Sequence, residues 1–254
     1  MSSTGRLVVV VGSRGGAGAS CLAAVVAKAV QEQTKRGILV DLCEGGPGLE
    51  VLLGIESEPG ARWAEMEAAR GDIDGSELVL ALPQWQGLPV LSLSRHHARA
   101  IPDEVVLDVC AGLLRNGGIV VIDLPNPSSW SPAIRALVAD ADQVLIATPD
   151  STVGIAGAVV VAAALDGLGE DQSTSNSARR RRGPQTDRAL ALRTRSGSRV
   201  GENEVSKLVG LPVMVRFRDD RNLTTAIELG AGPAFKSAKK LAKAGRAIAA
   251  EVMS

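Results

Sequence analysis

The apolar, β-branched run Leu7–Val11 breaks into Gly12-Ser-Arg-Gly-Gly-Ala-Gly-Ala-Ser20 and continues as Cys21-Leu-Ala-Ala-Val-Val-Ala27. A strand that feeds a helix through so many glycines makes a loop whose backbone amides can turn inward, because glycine tolerates the backbone angles this requires. The helix that follows adds the positive end of its dipole, so the junction favours a bound phosphate. A helix cap alone needs far fewer glycines. Against the pattern G-x-x-x-x-G-K-[ST], Ser13 holds the first position and Ala19 replaces the lysine that reaches the β- and γ-phosphates. Ser20 stands where a hydroxyl would ligate Mg²⁺. The phosphate-binding candidates are therefore Ser13, Arg14, Gly15, Gly16, Ala17, Gly18, Ala19, Ser20 and Cys21.

Beyond this junction, short β-branched runs alternate with longer Ala/Leu-rich stretches, the signature of repeated βα units around a parallel sheet. Strands are expected at Leu7–Val11, Ile38–Leu42, Pro89–Leu93, Ile119–Leu124, Gln143–Ala147, Leu190–Thr194 and Pro212–Phe217. Most are continuously apolar, as when helices cover both faces of a sheet. Helices are expected at Ser20–Gln33, Ala61–Ala69, Pro102–Arg115, Pro132–Ala139, Gly154–Leu168, Glu202–Val209, Leu223–Leu229 and Phe235–Val252. The fold class is thus α/β, a doubly wound, mostly parallel sheet with helices on both faces. The polar stretch from Gly169 to about Arg188, with Arg179–Arg182 inside it, reads as a flexible insertion, and the acid-rich stretch Asp41–Leu80 reads as a solvated face.

Composition narrows the chemistry. The 254 residues, 45% hydrophobic, suffice for a full core, and 28 Lys+Arg balance 28 Asp+Glu, so a basic field over the whole molecule is excluded. Aromatic residues are only 2%, too few for a platform on which bases stack. The three cysteines, Cys21, Cys43 and Cys110, lie in or beside apolar segments and read as small buried hydrophobes in a reducing compartment. No run reaches the roughly 18 apolar residues of a spanning helix. His96 and His97 lack the spacing of a zinc site, and no serine is paired with a histidine for a hydrolase triad.

With Arg-Gly-Gly-x-Gly-x-Ser after the first strand, the chain resembles the ParA/MinD family of deviant P-loop ATPases, whose loop reads K-G-G-x-G-K-[ST]. Ile38-Leu-Val-Asp-Leu-Cys43 is similar to that family's second strand and switch, V-D-x-D, and Val120-Val-Ile-Asp-Leu-Pro125 to its Walker B strand, D-x-P. The resemblance implies ATP or ADP with Mg²⁺ as cofactors. It makes Asp41 the switch aspartate that orients the attacking water, and Asp123 the carboxylate that holds Mg²⁺ through water alongside Ser20. Cys43 replaces the second switch acid. Arg14 replaces a signature lysine that crosses a dimer interface, which implies a homodimer. The adenine-contacting asparagine is not evident where Arg193-Thr-Arg195 stands.

Gly15–Ser20, Gly45-Gly-Pro-Gly-Leu-Glu-Val-Leu-Leu-Gly54, Ala61-Arg-Trp63 and Ala69-Arg-Gly71 carry a closer resemblance to the CpaE/TadZ branch, and within it to the actinobacterial septum-site-determining (Ssd) group. That implies one P-loop ATPase-like domain over residues 1–254, without the receiver-like domain that often precedes it, acting with cell-division or pilus and secretion proteins. Hydrolysis is expected to be slow or absent, because Ala19 removes a positive charge from the γ-phosphate. An active ParA-type ATPase riding on DNA and a nucleotide-free scaffold are the rivals. The basic clusters Arg179–Arg199 and Lys236–Arg246 offer a DNA or membrane contact, against a reading as a solvated loop and the outer face of a packed last helix.

Overall fold

The structure, a computed structural model, describes residues 5–44, 46, 48–67, 69–94, 100–171, 186–195, 197, 200–220, 222–233 and 238–254. In chain order the strands are β1 (Arg6–Gly12), β2 (Gly37–Asp41), β3 (Gln84–Trp85), β4 (Leu88–Leu91), β5 (Ile119–Leu124), β6 (Gln143–Pro149), β7 (Asp187–Thr194) and β8 (Val213–Arg218). The helices are α1 (Ala19–Thr34), α2 (Gly48–Leu53), α3 (Gly75–Ala81), α4 (Asp103–Arg115), α5 (Pro132–Ala139), α6 (Thr152–Asp171), α7 (Glu202–Val209), α8 (Leu223–Glu228) and α9 (Lys239–Val252), with 3₁₀ turns at Trp63–Met66 and Pro127–Ser129.

The strands form one sheet in the order β3-β4-β2-β5-β1-β6-β7-β8, parallel throughout except for the β3–β4 edge hairpin. Side chains alternate between the two faces, so each central strand feeds two cores. Leu7, Val9 and Val11 of β1 join Val40, Ile122 and Ile146 in the layer under α4, α5 and α6. Val8 and Val10 join Leu39, Val121 and Leu145 in the layer under α1 and α9. The doubly wound sheet follows directly from the continuous apolar strands.

Local chemistry explains why β5, α5 and α7 fall where the sequence puts them. α5 starts at Pro132 behind Ser131, whose hydroxyl accepts the N–H of Ile134, and α7 ends at Gly210 in the left-handed conformation that suits glycine. Three expectations need correcting. The helix at Ala61–Ala69 is only the 3₁₀ turn Trp63–Met66, because Trp63 is pinned from two sides: its N–H donates to Ser92 O at 3.1 Å and its Nε1 to Asp41 O at 2.7 Å. The sequence reading also lacked α2, α3 and β3. Finally, Asp41–Leu80 is not simply a solvated acidic face. Glu50 is 3% exposed, and its Oε2 accepts from Arg62 Nε at 2.9 Å. The same guanidinium donates to the carbonyls of Ile55, Glu56, Glu58 and Gly60, satisfying loop acceptors that no ladder reaches.

α9 lays Leu241, Ala242, Ile248 and Val252 into the core and leaves Lys239, Lys240, Lys243 and Arg246 outside, which is the packed-helix reading of the second basic cluster. In the first cluster, Arg188 pairs with Asp166 at 2.6 Å and Arg193 with Asp219 at 3.1 Å. The bulk of the expected insertion, 172–185, together with His96, His97 and Lys236, lies outside the described residues. Among those described, no helix is long and apolar enough to cross a membrane.

Candidate functional site

The carboxyl ends of β1, β2 and β5 converge at one rim of the sheet, where ligands bind in open α/β folds. β1 ends in the loop Gly12–Gly18. Ser13 N donates to Ala147 O at 3.0 Å, and Ala17 N to Arg14 O at 3.2 Å, which closes a tight turn. Gly16 (φ 71°) and Gly18 (φ 93°) occupy the left-handed region, so the glycines are required here by backbone geometry. Behind the loop, a Cβ on Gly157 of α6 would lie 2.1 Å from Ser13 O; glycine there lets α6 seat against the loop.

Gly18 caps α1 without a side-chain hydrogen bond, so the first-turn amides of this sixteen-residue helix have no side-chain cap. They are free to meet an anion at the positive end of the dipole. Ser13 is buried with Oγ unpartnered. The Arg14 guanidinium bends back onto the loop, with Nη1 donating to Gly15 O at 2.7 Å.

β2 and β5 set Asp41 and Asp123 in register beside one another. Both are buried, yet their surroundings differ. Asp41 accepts from Cys43 N at 3.0 Å through one oxygen and from Leu49 N at 2.7 Å through the other, and the Leu93 N–H adds a third bond. Burial outweighs these bonds and raises its pKa to about 6, with the Glu50 charge adding a little. Asp123 is held by the hydroxyl of Ser20 and the thiol of Cys43, and its Oδ1 has no hydrogen-bond partner. Burial first and the Asp41 charge second raise its pKa to about 7.

The thiol of Cys43 and a carboxylate oxygen of each aspartate lie within 4.8 Å of one another. Burial and the two carboxylates push the Cys43 thiol far up, so it stays protonated and is not a reactive thiolate. Cys21 is raised to about 11 by burial and by Asp123, against the opposing charge of Arg193. Cys110 is buried in the core.

The fold therefore gathers the whole loop from Ser13 to Cys21 with Asp123, and sets Asp41 alongside. Ser20 and the open oxygen of Asp123 suit a hard cation that takes oxygen ligands. The sequence reading missed one residue. Arg193, at the end of β7, sends Nη1 to Ala17 O at 3.1 Å and to Gly16 O at 3.3 Å. The only hint of it was an arginine where an asparagine was expected.

A glycine loop on a central parallel strand, opening a helix and flanked by a carboxylate at the end of a neighbouring strand, defines a P-loop α/β protein. Residues 6–156, more than half of the chain, match the family model described as cellulose biosynthesis protein BcsQ, and the chain belongs to that family. It is 30% identical over 247 residues to an uncharacterized protein of Mycobacterium tuberculosis, covering 96% of this chain and 63% of that one. The chain thus spans under two thirds of that relative's length. It is 21% identical to a protein of Nephroselmis olivacea described as a putative septum site-determining protein MinD, over 89% of this chain and 78% of the relative. Among solved structures, a ParA family ATPase from Chlorobium tepidum superposes with TM-score 0.75 at 19% identity, over 98% of this chain and 99% of the other. The MinD of Pyrococcus horikoshii complexed with Mg-ADP superposes with TM-score 0.68 at 15% identity, over 97% and 95%.

Proposed function

We propose that the protein is a nucleotide-binding positioning switch of the ParA/MinD kind, which takes ATP or ADP with Mg²⁺ and works by engaging partner proteins. The observation that carries this reading is the pairing of an α1 terminus without a side-chain cap and the buried, unpartnered Oδ1 of Asp123. A buried polar atom left open at the mouth of an anion cradle is costly unless a ligand completes it.

Loop amides from Ser13 to Cys21 and the α1 dipole would hold the phosphates. Ser20 and Asp123 would hold Mg²⁺, whose charge would neutralise phosphate oxygens. Hydrolysis is slow or absent on two counts. Ala19 leaves the γ-phosphate without the motif's lysine. Asp41, the switch residue by resemblance, is fully buried and already accepts a backbone amide on each oxygen, which leaves it poorly placed to orient an attacking water.

A net charge of zero and the pairing of Arg188 with Asp166 favour partner contact over DNA riding. Septum-site selection is the process named by the MinD relatives, and positioning of a pilus or secretion assembly is the one implied by the CpaE/TadZ and Ssd resemblance. A homodimer across the loop face, with Arg14 at the seam, is the expected working form. Isothermal titration with ATP and ADP, with and without Mg²⁺, tests the core of the reading. Mg²⁺-dependent binding supports it, and no heat or thermal shift at millimolar ATP leaves a nucleotide-free scaffold.

A further inference from the structure

The loop lacks its lysine, yet a cation reaches it from a distant part of the chain. Arg193 is 176 positions from Ala17 in sequence, and its Nη1 bonds two loop carbonyls. A Cβ on Gly18 would sit 3.0 Å from that same nitrogen, which puts the guanidinium directly against the last glycine before α1. Its charge is felt at Cys21, in the first turn of the helix. Arg14 does not play this part, because it is turned onto Gly15 O.

We propose that Arg193 supplies, within the same chain, the positive charge toward bound nucleotide phosphates that Ala19 no longer provides. This rests on the loop being a nucleotide site. The bonds that now hold Arg193 are of a kind an anion can outcompete. Two go to neutral carbonyls, and the ion pair with Asp219 is to a carboxylate 48% exposed, where such pairs contribute little. Among the described residues, Nη2 has no hydrogen-bond partner. A guanidinium offers a fork of donors matched to phosphate oxygens, and bonds to a charged acceptor are about twice as strong as those to a carbonyl. Arriving from β7 and not from α1, the charge meets the phosphates from the side of the loop, an approach suited to binding more than to following a migrating γ-phosphate.

The test is calorimetric titration of Mg-ATP into the wild type, Arg193→Gln, Arg193→Lys, Ala19→Lys and the double variant Arg193→Gln/Ala19→Lys, with the melting temperature of each ligand-free protein. Glutamine keeps an N–H donor for the loop carbonyls and loses the charge. ATP affinity should fall at least about tenfold in Arg193→Gln and hold within about threefold in Arg193→Lys, as expected for a charge-assisted contact. Ala19→Lys should recover more affinity in the glutamine background than it adds to the wild type. Wild-type affinity in Arg193→Gln overturns the proposal, as does a loss that neither lysine repairs, which would make Arg193 a brace for loop shape. Should the glutamine variant not fold, Asp219→Asn leaves Arg193 in place and frees it from its anion. ATP should then bind about two- to fivefold tighter, the order of a surface ion pair, and unchanged or weaker binding overturns the proposal. A wild type that binds no ATP fails the nucleotide reading itself, whereas a binding wild type with an equally binding glutamine variant fails this inference alone.

Discussion

Asp41 and Asp123 end adjacent strands in register, share burial and both carry raised pKa values, yet the fold treats them oppositely. The β2 end is closed: both oxygens of Asp41 accept backbone N–H groups, and Trp63 locks the carbonyl of the same residue. The β5 end is open, with one oxygen of Asp123 unpartnered. Two identical side chains a strand apart thus differ in how far the fold satisfies them: one holds a loop and the other keeps an oxygen open. Burial alone does not separate the two carboxylates; the hydrogen bonds that each accepts do.

The most severe way to break this comparison is Asp41→Ala. It strands the N–H groups of Cys43, Leu49 and Leu93 and releases α2, and should cost about 3 kcal/mol or more in urea denaturation, given what each orphaned buried donor costs. A loss below about 1 kcal/mol would show that water or the loop itself satisfies those amides.

Titration comes next in size. In the folded state Asp41 and Asp123 have pKa values near about 6 and about 7, above the 3.8 of an ordinary aspartate. Between these limits the folded chain holds protons that the unfolded chain has released. The contribution of the pair is therefore full below about pH 4 and lost as pH rises through about 6 to 7, at up to about 1.4 kcal/mol per pH unit for each proton. In EDTA, the stability difference between wild type and Asp123→Asn should shift in favour of the wild type as pH is lowered from 7.5 to 5.5. A pH-independent difference would mean that the Asp123 carboxylate is solvated at this rim.

How much of this was legible follows the range of the interactions. β5, α5 and α7 were readable because apolar continuity, Ser131-Pro132 and Gly210 are local signals. The loop from Ser13 to Ser20 was readable because successive glycines have few other uses. α2, α3 and the β3–β4 hairpin were not, since α2 leans on the Asp41 carboxylate and the Glu50–Arg62 pair, and the hairpin turns at Gln86 and Gly87 with positive φ at both. Asp41 and Asp123 could be picked from their motifs, but which of them was satisfied could not. That depends on Leu49 N and Leu93 N arriving from other segments. Arg193 belongs to the same class: nothing near β7 announces that its guanidinium ends on Ala17.

Asp123→Asn sharpens the comparison from the open side. Asparagine keeps the volume and removes the buried charge, so at pH 7.5 the ligand-free protein should gain about 1 kcal/mol, while any Mg²⁺-dependent part of ATP binding disappears. Asp41→Asn should do the reverse, weakening the fold and leaving Mg²⁺ dependence in place. Equal behaviour of the two variants would erase the distinction between the strand ends.

The smallest expected effect is on turnover. Ala19→Lys returns an ammonium to the loop and should tighten ATP by less than about tenfold in the wild type, where Arg193 already stands close by. The rate of phosphate release under saturating ATP should change by no more than about threefold, because the lysine does nothing for the closed β2 end. Asp41 would still be tied to Leu49 N, and Cys43 would still stand as a protonated thiol where the family's second switch acid is expected. Affinity and rate thus report on different strand ends, the loop of β1 and the switch of β2. A rate that climbs with affinity to the level of a ParA-type ATPase run alongside would show that Asp41 becomes open to water once nucleotide is bound. The closed end would then be a resting state of the switch and not its limit.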